Sequence, residues 1–422
     1  MEIRKICMTI KSEKPFHYSK IIPKSMTTAL RQFVFLILFF ILIIACTSKN
    51  QEKLSLELIE TGEILTLPLD SATSNVSDGI QFFQGENPLL FNLNWMENSI
   101  QIYDLTQKRK IKDLKFDYEG PNGVLDIMGI YVHSLDSIFL FNQLVSQITL
   151  IDTTGKIKNK ITYQAPNKYS PAFINNAYFQ SKPVLNGKKL LVKTHIYGQI
   201  TSMTNDQLND KELMYQIDLE MGKSGILGLD SGKTEFPGMK YPKDYLLGGF
   251  KIFEPSIAYG AGKFVVSMFG DHRLFYTDTL GTPLKEVVAK SNYLNEAIPL
   301  FPKDADGLAY RNYSFYSPHY ETIDFDPYRQ VFIRFAFHGF EQDPAVPVQE
   351  MRNHSGPFSI QVFDKDLNLV SEKFFDKNRY HPFDYFITKE GLYLSTNHPL
   401  NPQTKEDELS FELIQYKEIK KP

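Results

Sequence analysis

Arginine, histidine, tryptophan and asparagine recur at the ends of short apolar runs in this 422-residue chain. Trp95 closes "PLLFNLNW", Asn142 falls in "SIFLFNQL", His195 in "KLLVKTHIYG", and His398 closes "GLYLSTNH". Arg334 stands inside "QVFIRFAFHG", which His338 nearly ends, and Arg311 lies in the segment leading up to it. A guanidinium grips a carboxylate through two parallel N–H bonds, and an aromatic face covers the apolar face of a sugar. A rim of these residue types suits an anionic or sugar ligand. A lone histidine at a strand end is more often solvated or bonded to a neighbouring carbonyl than a ligand. A cation within a central strand needs a partner or a wet channel, so an internal pair explains Arg334 as well as a ligand contact does.

Metal and cofactor signals are weak, and no metal site or cofactor is expected. "DKDLN" (364–368) opens like a calcium loop but lacks the later Gly and Glu. It serves as a turn without a metal, and "DADG" (304–307) is shorter still. The sequence contains no H-E-x-x-H, no G-x-S-x-G, no Walker loop and no G-x-G-x-x-G. Several enzyme classes are thereby removed. Enzymes that gather acids and bases from distant parts of the chain are not.

The positioning elements announce themselves by repetition. "SIQIYDLTQKRKIKDLKF" (99–116), "QITLIDTTGKIKNKITY" (147–163), "LMYQIDLEMGKSGILGL" (213–229), "RLFYTDTLGTPLKEVVA" (273–289) and "SIQVFDKDLNLVSEKFF" (359–375) share one plan. Each is an apolar strand, an Asp, a tight turn and a second strand. Asp104, Asp152, Asp218, Asp278 and Asp364 hold the same place, where a carboxylate accepts bonds from the turn's own amides. Another strand pair precedes each hairpin, so the unit is four antiparallel strands, a–b–c–d. Such units suggest propeller blades.

Five units are complete. The sixth has strands a (385–388), b (392–395) and c (411–416), and then the chain ends. "GEILTLPLD" (62–70) is a spare strand near the start. The expectation is an all-β, six-bladed β-propeller closed by pairing that strand with the C-terminal blade; a seven-bladed ring is the alternative. In such a blade the a–b and c–d turns share one end. The b–c and d–a connections share the other, and here they are long: 198–212, 230–254, 290–320 and 339–358. Binding concentrates on long loops carried by a rigid scaffold. His272, His319, Arg379 and His381 are expected at that same end.

The chain resembles a family of Bacteroidota lipoproteins grouped as domain of unknown function 4221, of the six-bladed NHL-like type. The likeness rests on the aromatic-rich strands, the Asp-turn phrase and a leader described next. It implies a fold and an address, and brings no catalytic residues.

In the leader, an apolar run from Phe33 to Ile44 follows Arg31 and stops at Ala45-Cys46. Twelve residues are too few to span a bilayer, which takes about 20, and suit the apolar core of a secretory signal. "IIAC" resembles a bacterial lipobox. The resemblance implies a diacylglyceryl group on the Cys46 sulfur, cleavage before it, and acylation of the new amino terminus. Residues 1–45 then form the signal peptide, 46–53 a lipidated tether, and 54–422 one propeller domain. Met26 would open a compact signal and is an alternative translation start.

The chain carries 46 basic and 49 acidic residues; without the seven basic and two acidic residues of 1–45 the balance is −8. That balance does not suit a nucleic-acid partner. Neither Cys7 nor Cys46 leaves a thiol for a disulfide in the body. Thr47, rather than Asp, follows Cys46, which favours the outer membrane, and "TSKNQEK" lacks the acidic run of surface export, which favours a periplasm-facing body. The expected role is a lipid-anchored envelope module that binds a glycan, a peptide or an envelope protein. The alternatives are a hydrolase or lyase acting on sugars or lactones in the central channel, and a structural subunit of an outer-membrane complex.

Overall fold

A computed structural model describes residues 55–419 except 167–168, 197–202, 220–233, 236, 281–282, 302–306 and 342, with backbone alone at 234–235. The expected signal, Cys46, the expected tether and most of "DADG" lie outside the described residues, as do parts of all four long loops.

Six four-stranded antiparallel sheets form a six-bladed β-propeller. The first described strand, β1 (Leu56–Pro68), stands apart from the five consecutive blades that follow it. Blade 1 holds β2 (Ile80–Phe83), β3 (Leu89–Asn94), β4 (Ser99–Asp104) and β5 (Arg109–Lys115). Blade 2 holds β6 (Gly129–Ser134), β7 (Ser137–Phe141), β8 (Gln147–Ile151) and β9 (Ile157–Thr162). Blade 3 holds β10 (Val184–Asn186), β11 (Lys189–Lys193), β12 (Met214–Asp218) and β13 (Thr234–Glu235). Blade 4 holds β14 (Pro255–Gly260), β15 (Lys263–Met268), β16 (Arg273–Thr277) and β17 (Lys285–Val288). Blade 5 holds β18 (His319–Asp326), β19 (Val331–Phe337), β20 (Phe358–Phe363) and β21 (Leu369–Phe375). Blade 6 holds β22 (His381–Ile387), β23 (Leu392–Ser395) and β24 (Glu408–Glu418), with β1 as its outermost strand. Leu65 faces Phe411 and Leu67 faces Leu409 in that last pairing.

The turns use their aspartates as the sequence suggests. The Asp104 carboxylate accepts from the amides of Thr106 and Gln107, Asp152 from Thr154 and Lys156, and Asp364 from Asp366 and Asn368. Blade 3 departs from the reading. The partner of β12 is Thr234–Glu235, beyond the expected 225–229, and the intervening residues lie outside those described.

Burial explains which strands alternate. β3, β4, β19 and β20 are buried at every position, because each blade packs both faces against its neighbours. They read as continuous apolar runs for the same reason as a doubly covered sheet does. Outer strands such as β5 face water and are mostly exposed. The core is therefore a ring of inter-blade layers: Phe91, Ile102, Ile130 and Leu140 fill one, and Phe335, Phe337, Tyr385 and Leu394 another.

Two helices interrupt the loops. α1 (Asn205–Asn209) is opened by a capping box between Thr204 and Gln207. α2 (Gly307–Tyr316) sits in the connection from blade 4 to blade 5. No helix of the described residues is long and apolar enough to cross a membrane.

Candidate functional site

Residues 175–181, in the connection from blade 2 to blade 3, cross the propeller axis. Their backbone needs partners, and five blades take part. Asn176 mimics a strand edge, accepting from the Ile130 amide at 2.8 Å and donating to the Ile130 carbonyl at 3.0 Å. Its Cβ presses on Gly79, whose φ of +148° and lack of side chain permit the contact. The Gln180 amide donates to Thr322 Oγ1 at 3.1 Å, its side chain to the Phe383 carbonyl at 3.3 Å, and its own carbonyl accepts from Ser256 Oγ. Phe179 has a φ of +44°, rare for a bulky residue. It is held there by its amide bond to the Glu321 carboxylate and by Lys193 Nζ, 2.9 Å from its carbonyl.

This crossing divides the channel. On the tight-turn side, the inner strands of all six blades line a cavity of about 410 Å³ that includes Gln180, Lys182, Asp324 and Tyr385. Its charges are matched: Lys182 Nζ lies 2.7 Å from Asp324 Oδ2.

On the long-loop side lie two adjoining cavities that share Tyr178, Arg311 and Phe315. The first, of about 360 Å³, is lined by Asp78, Asn92, Trp95 and Arg352 among others. The second, of about 490 Å³, adds Asn175, His195, Glu254, Tyr310, His319 and Glu321. Both volumes fall within the range of small-molecule sites, about 300–1,000 Å³. Helix α2 supplies the shared wall. Tyr313 and Tyr316 anchor its inner side, donating to the carbonyls of Pro299 (2.8 Å) and Met351 (3.4 Å). Helical spacing then sends Tyr310, Arg311, Ser314 and Phe315 to the cavities.

The electrostatics of the walls are nearly balanced. Burial raises the Asp78 carboxyl, against the Trp95 amide bond (2.9 Å) and the nearby Arg352. Burial would raise Glu254 as well, but Lys193 and His195 hold it below the usual range. Glu321 is pushed up to about 7 by burial, despite the bonds from Thr322 and Phe179. His195 is lowered, chiefly by burial, and its Nε2 lies 3.0 Å from the Phe173 carbonyl. His319 is sandwiched between Phe269 and Phe337, and burial lowers it to about 4. In these walls, two buried donors lack a partner among the described residues: Nδ2 of Asn175, a residue 4% exposed, and Trp95 Nε1.

Residues 55–374 match the family described as "Domain of unknown function (DUF4221)". The chain belongs to the DUF4221 family. A crystal structure of a member of that family from Bacteroides vulgatus ATCC 8482 superposes with a TM-score of 0.75 at 23% identity, over 86% of this chain and 99% of that one. A protein of Bacteroides fragilis NCTC 9343, named as exported, superposes at 0.50 and 11% identity, over 89% of this chain and 98% of that one. Both likenesses concern the fold. No curated protein matches the chain.

Of the residues singled out by type and spacing, the family fold brings Trp95, His195, Arg311 and His319 to the cavities. Arg334 lines neither. Its guanidinium is buried over the Tyr320 ring, 3.3 Å from the ring centre, and donates to Ser267 Oγ (2.8 Å) and the carbonyls of Asp271 (2.7 Å) and Ala289 (3.3 Å). Burial lowers its pKa to about 10. His338 stacks on Tyr293 and Phe374, with Nε2 3.0 Å from Ser359 Oγ. His398 is buried against the Ser355 carbonyl. Asn142 orders its own loop, accepting from the amides of Leu144 and Val145. His272 bonds Tyr320, and Arg379 bonds Glu60 and Glu412. Sequence reading passed over Asp78, Asn175, Tyr178, Glu254, Phe315, Glu321 and Arg352. A helical spacing of aromatics over 310–316 could have flagged Phe315; no linear pattern marks the others.

Proposed function

We propose that this protein is a lipid-anchored envelope module that binds a glycan at its long-loop face. The observation that carries the reading is the pair of adjoining cavities sharing Tyr178, Arg311 and Phe315. They combine aromatic walls with two unpartnered donors, at Asn175 and Trp95. Rings take apolar sugar faces, and fixed donors take hydroxyl oxygens. Anchoring through Cys46, at the outer membrane and facing the periplasm, is part of the proposal; the lipobox and the exported neighbour support it.

Trp95 is the chain's single tryptophan, so its fluorescence reports occupancy directly. The mature protein is to be probed on a glycan array, and each hit titrated by that signal. A hit that shifts the emission, and is lost in Tyr178→Ala and Phe315→Ala, supports the reading. An array without hits overturns it.

A second reading, a hydrolase or lyase acting on sugars or lactones, is favoured by Glu321, a buried carboxyl poised near neutrality in the larger cavity. Turnover of a bound glycan that disappears in Glu321→Gln, with binding retained, would select it.

A further inference from the structure

We infer that the glycan is acidic, and that its carboxylate is held by Arg311 where the two cavities meet. This rests on the glycan-binding reading above and names the class of sugar.

Among the ionisable groups lining the two cavities, the carboxylates Glu254 and Asp78 have cations beside them, and Glu321 and Arg311 have no ion-pair partner among the described residues. Lys193 pairs with Glu254. Arg352 faces Asp78 and donates to the Ser77 carbonyl at 3.1 Å. His195 and His319 are neutral at neutral pH because burial lowers both. Glu321, raised by burial, is partly protonated there. The Arg311 guanidinium has no hydrogen bond or ion pair among the described residues, although Arg311 lines both cavities. Tyr313 and Tyr316 fix the helix that presents it. A cation in a concave, partly apolar wall attracts an anion more strongly than one on an open surface.

The charge of the walls also selects the kind of anion. One uncompensated guanidinium matches one carboxylate, which it can grip through two parallel N–H bonds. A phosphate dianion would leave a charge unmatched. The flanking groups suit a sugar ring that carries the carboxylate: Phe315 and Tyr178 beside it, and the unpartnered Trp95 Nε1 and Asn175 Nδ2 for its hydroxyls. The buried Asn175 uses its Oδ1 on the amides of Ala177 and Tyr178, which leaves Nδ2 for a ligand.

The experiment uses an array of acidic oligosaccharides, each paired with its carboxyl-reduced neutral counterpart: oligogalacturonates, oligoglucuronates, oligomannuronates and sialylated chains. Binding to the mature protein is followed by Trp95 emission and by calorimetry. The inference expects at least one acid to bind about tenfold or more tighter than its reduced partner. That preference should weaken with salt and vanish in Arg311→Gln, whose melting temperature stays that of wild type because the side chain has no described partner. Equal binding of acid and reduced forms, or an acid preference that survives Arg311→Gln, overturns the inference and leaves the glycan reading standing. An array in which neither acids nor neutral sugars bind overturns both.

Discussion

The carboxylate of Glu412, in the last strand, accepts a hydrogen bond from the backbone amide of Gly62, in the first, at 3.0 Å. The two residues are 350 positions apart in the chain. Glu412 is buried, and its other oxygen accepts from Arg379 (2.6 Å) and the Tyr380 hydroxyl (2.7 Å). Thr61 Oγ1 adds a bond to the Leu413 carbonyl at 2.8 Å. These contacts sit at the bulge where the register of β1 shifts between Glu60 and Ile64.

Glu412→Ala is therefore expected to strand the Gly62 amide, to leave Arg379 and Tyr380 only Glu60 as acceptor, and to cost about 1–3 kcal/mol. Removal of 54–70 is expected to be more severe, since it also strips Leu58, Leu65 and Leu67 from the core and bares the edge of blade 6. Urea denaturation measures both. A truncated chain with a wild-type midpoint would mean that β1 contributes nothing to the fold.

Arg334 is expected to act on stability and not on ligand affinity. Arg334→Ala removes the donors from Ser267 Oγ and from the carbonyls of Asp271 and Ala289. The loss should be about 3 kcal/mol or more. Arg334→Lys should recover only part of it, because an ammonium lacks the planar fork. Unfolding curves and glycan titrations on the same variants separate the roles; weakened binding at unchanged stability would place Arg334 in the site after all.

Glu321 sets a pH dependence of opposite sign to that of an ordinary paired carboxylate. Its folded-state pKa of about 7 lies above the ordinary value of 4.5. The contribution it makes when protonated is complete below 4.5 and is lost as pH rises through 7. Glu321→Gln, permanently neutral, is accordingly expected to raise the melting temperature relative to wild type at about pH 8 and to do little at about pH 4. Thermal melts across that range decide it, and a benefit confined to acid pH would show the sign to be wrong. His319 works in the other direction. Its folded pKa of about 4 is below the ordinary 6.5, so its stabilising contribution is present above 6.5 and is lost as pH falls towards 4, on the order of 3 kcal/mol.

Cys46→Ala is expected to leave unprocessed precursor and to abolish labelling by radioactive palmitate. Equal labelling of variant and wild type would remove the lipid anchor from the proposed function.

The chain's local grammar was legible without coordinates. An aspartate followed by a tight turn is a short-range device, so Asp104, Asp152 and Asp364 could be placed in their hairpins from the residues beside them. Five units followed from counting the Asp-turn hairpins, a sixth from the incomplete strand set at 385–416, and the role of the orphan strand near Leu65 from the missing partner in that sixth unit. The ligand-facing walls were not legible, because they depend on which distant segments meet at the axis. Asn175, Tyr178 and Phe179 come from an irregular connection, Glu321 from an inner strand of blade 5, and Arg311 from a helix between blades. No period links them. Arg334 shows the limit most clearly: its sequence context demanded a partner for the charge, but only the fold decided that backbone carbonyls of blade 4 would be that partner. Turn chemistry acts over a few residues, whereas the burial and pairing of a charge depend on every segment packed around it.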